Sequence, residues 1–188
     1  MSMLPESVAA GGGALLRRSG VVGKKALCKG ALLGLAAVFE LASRYVPEMQ
    51  AEISRWDEGR RVTIGVLPSG PWITIEKAGD RIRYVGGGPP EDVSVSILFK
   101  NLDSAVLIFT GQLGAPWAVA ENRVCVHGSN AEAIQVTRAM AIVQTYLFPG
   151  LILNKTFKRP PRLNPFQMAN KVRIMGLLTP VMMRLAGR

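Results

Sequence analysis

Cysteine and histidine are scarce in this sequence, and their scarcity excludes several kinds of site. The 188 residues include two cysteines, Cys28 and Cys125, and one histidine, His127. Two isolated cysteines form neither a zinc pattern nor a disulfide framework, which favours a reducing compartment and a cytoplasmic protein. His127 lies in an alternating segment with no recognised serine or cysteine nucleophile motif beside it. We therefore predict no catalytic residue.

Motifs for phosphate and metal binding are also missing. The glycines at 86–88 are followed by two prolines and not by a helix start, so they cannot present backbone amides to a phosphate. Asp92 and Asp103 do not have the spacing of a metal site. We expect a non-enzymatic protein that needs no cofactor and no metal.

Acidic residues are absent from the last part of the chain. Residues 151–188 contain eight Lys or Arg and no Asp or Glu, whereas residues 61–150 contain seven of each. A nucleic-acid-binding domain usually carries its cations on the folded surface, so we expect no nucleic acid partner. A basic tail instead predicts attraction to an anionic membrane surface and a peripheral membrane location. The residues predicted to dock there are Lys155, Lys158, Arg159, Arg162, Lys171 and Arg173.

The apolar pattern predicts both strands and helices. Apolar and polar residues alternate in the segments 61–67, 72–77, 81–85, 93–99 and 124–127, which predicts five strands. Helical spacing follows in the segments 14–46, 101–110, 130–148 and from Asn164 onward. This order predicts an α+β fold with the helices on one face of a five-stranded sheet. We divide the chain into a helical extension (1–57), a domain (58–150) and a C-terminal tail with a helix (151–188).

Two apolar segments lie outside the predicted domain. The run at 31–39 is too short to span a bilayer, and we expect its helix to pack on the domain. Residues 174–185 are apolar almost all round the helix and are also too short to span. This second segment can pack on the domain, cap a cavity, form a homodimer contact or enter the bilayer interface, and the sequence leaves these alternatives open.

The order of several short motifs resembles a known family. Asp92-Val93 precedes the fourth strand, Thr110-Gly111 and the Gln-Leu-Gly at 112–114 follow a helix, and a strand ending in Gly128 precedes a long helix. This arrangement resembles the sterol carrier protein 2 (SCP2) sterol-binding domain family over roughly residues 58–148. One departure is Ser129, where the family often has aspartate; serine caps a helix equally well. The resemblance implies an apolar cavity between sheet and helices.

A cavity of this kind would take a sterol-like, isoprenoid or fatty-acyl lipid. Our candidate lining residues are Ile97, Phe99, Leu102, Val106, Phe109, Trp117, Met140, Val143 and Leu147. Apolar residues at helical spacing can equally fill a solid core, and only the resemblance favours a cavity. The predicted function is binding and transfer of a hydrophobic lipid. The alternative is an accessory subunit that docks on lipid- or quinone-modifying enzymes.

Overall fold

A computed structural model describes residues 7–88, 93–147 and 163–187 of the chain. Its helices are α1 (Ser7–Tyr45), α2 (Pro47–Ile53), α3 (Leu102–Phe109), α4 (Ala115–Ala120), α5 (Asn130–Leu147) and α6 (Pro165–Ala186). Its strands are β1 (Arg61–Val66), β2 (Trp72–Ala78), β3 (Arg81–Gly86), β4 (Val95–Phe99) and β5 (Val124–His127). The predicted α+β class with a five-stranded sheet is confirmed.

The strands form one mixed sheet in the order β3-β2-β1-β4-β5. β1 and β4 are parallel, and the other three pairs are antiparallel. Val62, Ile64 and Val66 alternate along β1 and are all fully buried. Because alternate side chains point to one face of a sheet, these residues mark the inner face on which the helices pack.

α1 is the central helix of the protein. Its side chains from Leu32 to Ala42 are buried almost without exception, since it packs on β2 and β3 and also on α3, α5 and α6. Within the described ranges, one stretch is long and apolar enough to cross a membrane by length and composition, the Gly20–Tyr45 part of α1. Of its apolar window, 72% is buried inside the protein. The expected packing of this helix on the domain is therefore observed.

The polar side chains of α1 bond the edge of the sheet. β3 is an edge strand, and unpaired N–H groups of an edge can recruit another chain. The backbone N–H of Tyr84 donates to the Glu40 carboxylate at 2.9 Å, and that of Ile82 donates to the Ser43 hydroxyl at 3.1 Å. α1 thus covers β3 and supplies the hydrogen-bond acceptors that a further strand would provide.

The last helix begins at a capping box. The side chain of Asn164 accepts from the backbone N–H of Gln167, and the Gln167 side chain accepts from the backbone N–H of Asn164, both at 2.8 Å. The Gln167 amide also donates to Glu48 at 2.7 Å. These contacts fix the start of α6 beside α2, and α6 then runs along α1.

Candidate functional site

α3 and α5 both contact β4, and we call the region between the two helices over β4 the gap. Both helices pack against α1 and against β4, yet they have little direct contact with each other. Asn101 starts α3 by accepting a hydrogen bond from the backbone N–H of Ser104 at 2.8 Å. This cap sets where α3 begins and therefore which of its residues turn toward β4.

Most of the predicted lining residues lie on α3, α5 and β4 and are incompletely buried. Phe99 and Val143 belong to the buried core. Six other predicted lining residues pack against that core and are half-buried: Ile97, Leu102, Val106, Phe109, Met140 and Leu147. Phe99 and Phe109 join β4 to α3 through an edge-to-face ring contact with centroids 5.1 Å apart. α3, α5 and β4 thus carry apolar side chains that stay partly accessible.

Trp117 is placed differently from the other predicted lining residues. It lies on the short helix α4 and is 63% exposed. α4 contacts α3 and β5, so Trp117 stands at the end of the apolar surface and outside the main core. Its role in ligand binding stays a prediction.

Two valines of β5 extend the apolar surface, and the sequence analysis did not include them. Val126 pairs in register with Ile97, and Val124 pairs with Phe99, so each valine shares the inner face with its partner. Val126 is 44% exposed although it lies on this face. The alternation of β5 was the signal that could have identified both residues.

Three pockets in the described part of the chain lie away from α3 and α5. One of about 390 Å³ lies between α1, the end of α6 and the β1–β2 turn, and it is bordered by Lys29, Trp72, Tyr84 and Ala186 among others. Two more border Ser94 and Asp80. None of the three includes a predicted lining residue, so an enclosed cavity between α3 and α5 stays a prediction.

The predicted membrane-docking residues fall into two groups. Lys155, Lys158, Arg159 and Arg162 lie outside the described residues. Lys171 donates to the backbone carbonyl of Thr145 at 2.8 Å, and Arg173 stacks over the ring of Tyr45 at 4.5 Å. Both of these cations contact the protein, and burial lowers the pKa of Lys171.

The two cysteines and the histidine differ in their burial. His127 is exposed on β5, Cys125 is half-buried, and Cys28 is fully buried in α1. Burial raises the pKa of the Cys28 thiol above its ordinary value, which favours the unreactive protonated form. No group of three or more possible metal ligands occurs among the described residues.

The chain is similar in structure to several solved proteins. No protein-family model matches the chain, and no curated protein matches it. A ubiquinone synthesis protein, UbiJ-SCP2, has a TM-score of 0.42 and 10% identity, over 58% of this chain and 94% of that chain. A conserved hypothetical protein from Thermus thermophilus has a TM-score of 0.43 and 15% identity, over 62% of this chain and 87% of that chain.

A third structure is the apo form of sterol carrier protein 2 from Yarrowia lipolytica. It has a TM-score of 0.37 and 12% identity, over 65% of this chain and 88% of that chain. The solved structures to which this chain is similar thus include proteins of the SCP2 type, as the sequence resemblance predicted.

Proposed function

We propose that this protein binds a hydrophobic lipid, without catalysing a reaction, in the gap between α3 and α5 above β4. One observation carries the proposal: apolar side chains on α3, α5 and β4 pack against the core and yet remain half-buried. Buried interiors are normally close-packed. Binding an apolar ligand against these partly accessible side chains is favourable, because it removes them from water.

The hydrophobic effect supplies the driving force. Burying apolar surface contributes about 25 cal/mol per Å², so a lipid that covers roughly 200 Å² gains about 5 kcal/mol before the entropy of association is subtracted. Specific polar contacts are not required for this gain. The SCP2 resemblance of the sequence further favours a sterol-like, isoprenoid or fatty-acyl ligand.

Native mass spectrometry of freshly purified protein tests the proposal. We expect the purified wild-type protein to carry a bound lipid, or to bind a fluorescent fatty acid or sterol that is added to it. Filling the gap with Val106→Trp or Met140→Trp should weaken uptake about tenfold, as expected for a loss of about 1.4 kcal/mol. Val85→Trp is the matched control because Val85 is 47% exposed on β3, away from the gap.

A fourth variant separates this gap from the pocket at the end of α6. Ala186 is exposed and borders that pocket, so Ala186→Trp should obstruct it without crossing the core. If Ala186→Trp lowers uptake while Val106→Trp and Met140→Trp do not, the ligand lies at the other pocket and our assignment is wrong. If the wild type neither carries nor takes up lipid, the lipid-binding proposal is wrong and an accessory subunit of lipid- or quinone-modifying enzymes becomes the favoured function. Analysis of extracted lipids would identify the ligand and allow a transfer assay between vesicles.

A further inference from the structure

Each charged residue of α6 contacts the protein, although Arg173 and Arg184 are also exposed to solvent. The helix has three charged residues, Lys171, Arg173 and Arg184. Lys171 donates to the Thr145 carbonyl at 2.8 Å, Arg173 stacks over Tyr45 at 4.5 Å, and Arg184 bonds the buried carboxylate of Glu40.

One exposed stripe of α6 is uncharged, and Arg173 and Arg184 lie beside it. Its residues recur at intervals of three and four and are all exposed, and we call them the outer face of α6: Met168, Val172, Met175, Thr179 and Met183. Val172 and Met183 are each 67% exposed. On the opposite side, Ile174 and Leu185 are fully buried, so the helix is fixed in this orientation.

We propose that the outer face of α6 docks on an anionic lipid bilayer, with the helix lying along the surface. From Met168 to Met183 the face is about 22 Å long, and a helix with an exposed apolar side next to basic residues is suited to the interface. Methionine side chains are flexible and adapt to an irregular surface. Because Ile174 and Leu185 are buried, only this face of the segment 174–185 can enter the membrane.

Charge favours a bilayer over a second copy of the chain. Lys155, Lys158, Arg159 and Arg162 directly precede α6 in the sequence, and residues 151–188 contain no acidic residue. The whole chain carries a formal net charge of +10. Two copies that meet through this face would bring two basic tails together and repel each other, whereas anionic headgroups attract the same residues.

Co-sedimentation of the full chain with vesicles tests the proposal. We expect binding to phosphatidylcholine vesicles that contain phosphatidylserine, and weaker binding to phosphatidylcholine alone or at high salt. The triple variant Val172→Ser, Met175→Ser, Met183→Ser should bind the anionic vesicles about tenfold more weakly. The matched control Val85→Ser, Val119→Ser removes exposed apolar side chains from β3 and α4 and should bind as the wild type does.

The outcomes are distinguishable from those of the lipid-uptake test. Thermal melting identifies any variant that fails to fold, and Met175→Leu, Met183→Leu, which keeps the face apolar, should retain binding. Equal binding by the wild type and the triple variant would overturn the proposal. So would a wild type that does not bind anionic vesicles more strongly than neutral ones. If the triple variant instead dissociates a dimer seen by analytical ultracentrifugation, the face belongs to a second copy and the proposal is wrong.

Discussion

Arg184, near the end of α6, bonds the carboxylate of Glu40, which lies in the last two turns of α1. The same carboxylate accepts the backbone N–H of Tyr84 on the edge strand β3 at 2.9 Å. Glu40 is 4% exposed, whereas the Arg184 side chain is 46% exposed. One buried carboxylate therefore connects the last helix, the central helix and the sheet.

Two substitutions of Glu40 separate its hydrogen bond from its charge. Glu40→Ala leaves the Tyr84 N–H without an acceptor, and we expect a loss of about 1–3 kcal/mol in the free energy of unfolding. Glu40→Gln keeps an acceptor oxygen and should cost less, because the half-exposed Arg184 can be solvated by water. Urea denaturation measures both values. Equal losses would mean that the ion pair, and not the backbone bond, is the stabilising contact.

Arg60 makes a second buried connection, between the start of β1 and α5. Its side chain is 5% exposed, bonds Asp57 and Gln135, and lies 3.4 Å from a carboxylate oxygen of Glu132. Arg60→Met should lower the free energy of unfolding by about 1–3 kcal/mol, since it removes the donors to the half-buried Gln135 and Glu132 side chains, whereas the 82% exposed Asp57 can be solvated by water.

A surface pair supplies the control for Arg60. Arg123 and Glu121 form an ion pair at 2.5 Å, and both side chains are well exposed. Arg123→Met should change the free energy of unfolding by less than about 1 kcal/mol, the usual limit for a surface salt bridge. A comparable loss in the two variants would contradict the importance of burial at Arg60.

Gly65 leaves room for an aromatic ring on the outer face of the sheet. It pairs in register with Trp72, and a Cβ atom on Gly65 would lie 1.9 Å from the indole. Gly65→Ala should therefore cost about 1–3 kcal/mol in the free energy of unfolding, the usual range for overpacking. Trp72→Leu should relieve part of that cost in the double variant, which a double-mutant cycle measures. Additive losses would show that the ring is not the obstacle.

The strands could be predicted from the sequence because alternation is a local signal. The five segments coincide with β1 to β5 to within two residues, although β4 begins at Val95 and not at Val93. The α3 and α5 helices follow in the same way from their apolar spacing. The half-burial of Val106 and Met140 could not be predicted, because apolar spacing is the same for a solid core and for an open wall.

Long-range polar contacts were equally inaccessible from the sequence. Lys171 and Arg173 occur in a basic tail, and their composition predicted membrane docking. The structure places them against Thr145 and Tyr45, residues distant in sequence that only the packing of α6 brings close. The outer face of α6 could be identified only after the buried side of that helix was known.

The two cysteines should differ in reactivity, and neither should be needed for lipid binding. Cys28 is fully buried, and burial raises the pKa of its thiol, so little thiolate forms at about pH 8. Cys125 is half-buried on β5. A maleimide at that pH should therefore modify Cys125 first and Cys28 only after unfolding, as mass spectrometry of intact and denatured protein would show.

Substitutions of Cys125 and His127 test whether the protein acts without catalysis. Cys125→Ser and His127→Gln remove the half-buried thiol and the single imidazole of the chain. We expect both variants to take up lipid as the wild type does, because neither side chain faces the gap between α3 and α5: in register, Cys125 and His127 lie on the opposite sheet face from Val124 and Val126. If either variant lost uptake while its thermal melt was unchanged, a reactive role for that residue would have to replace simple apolar binding.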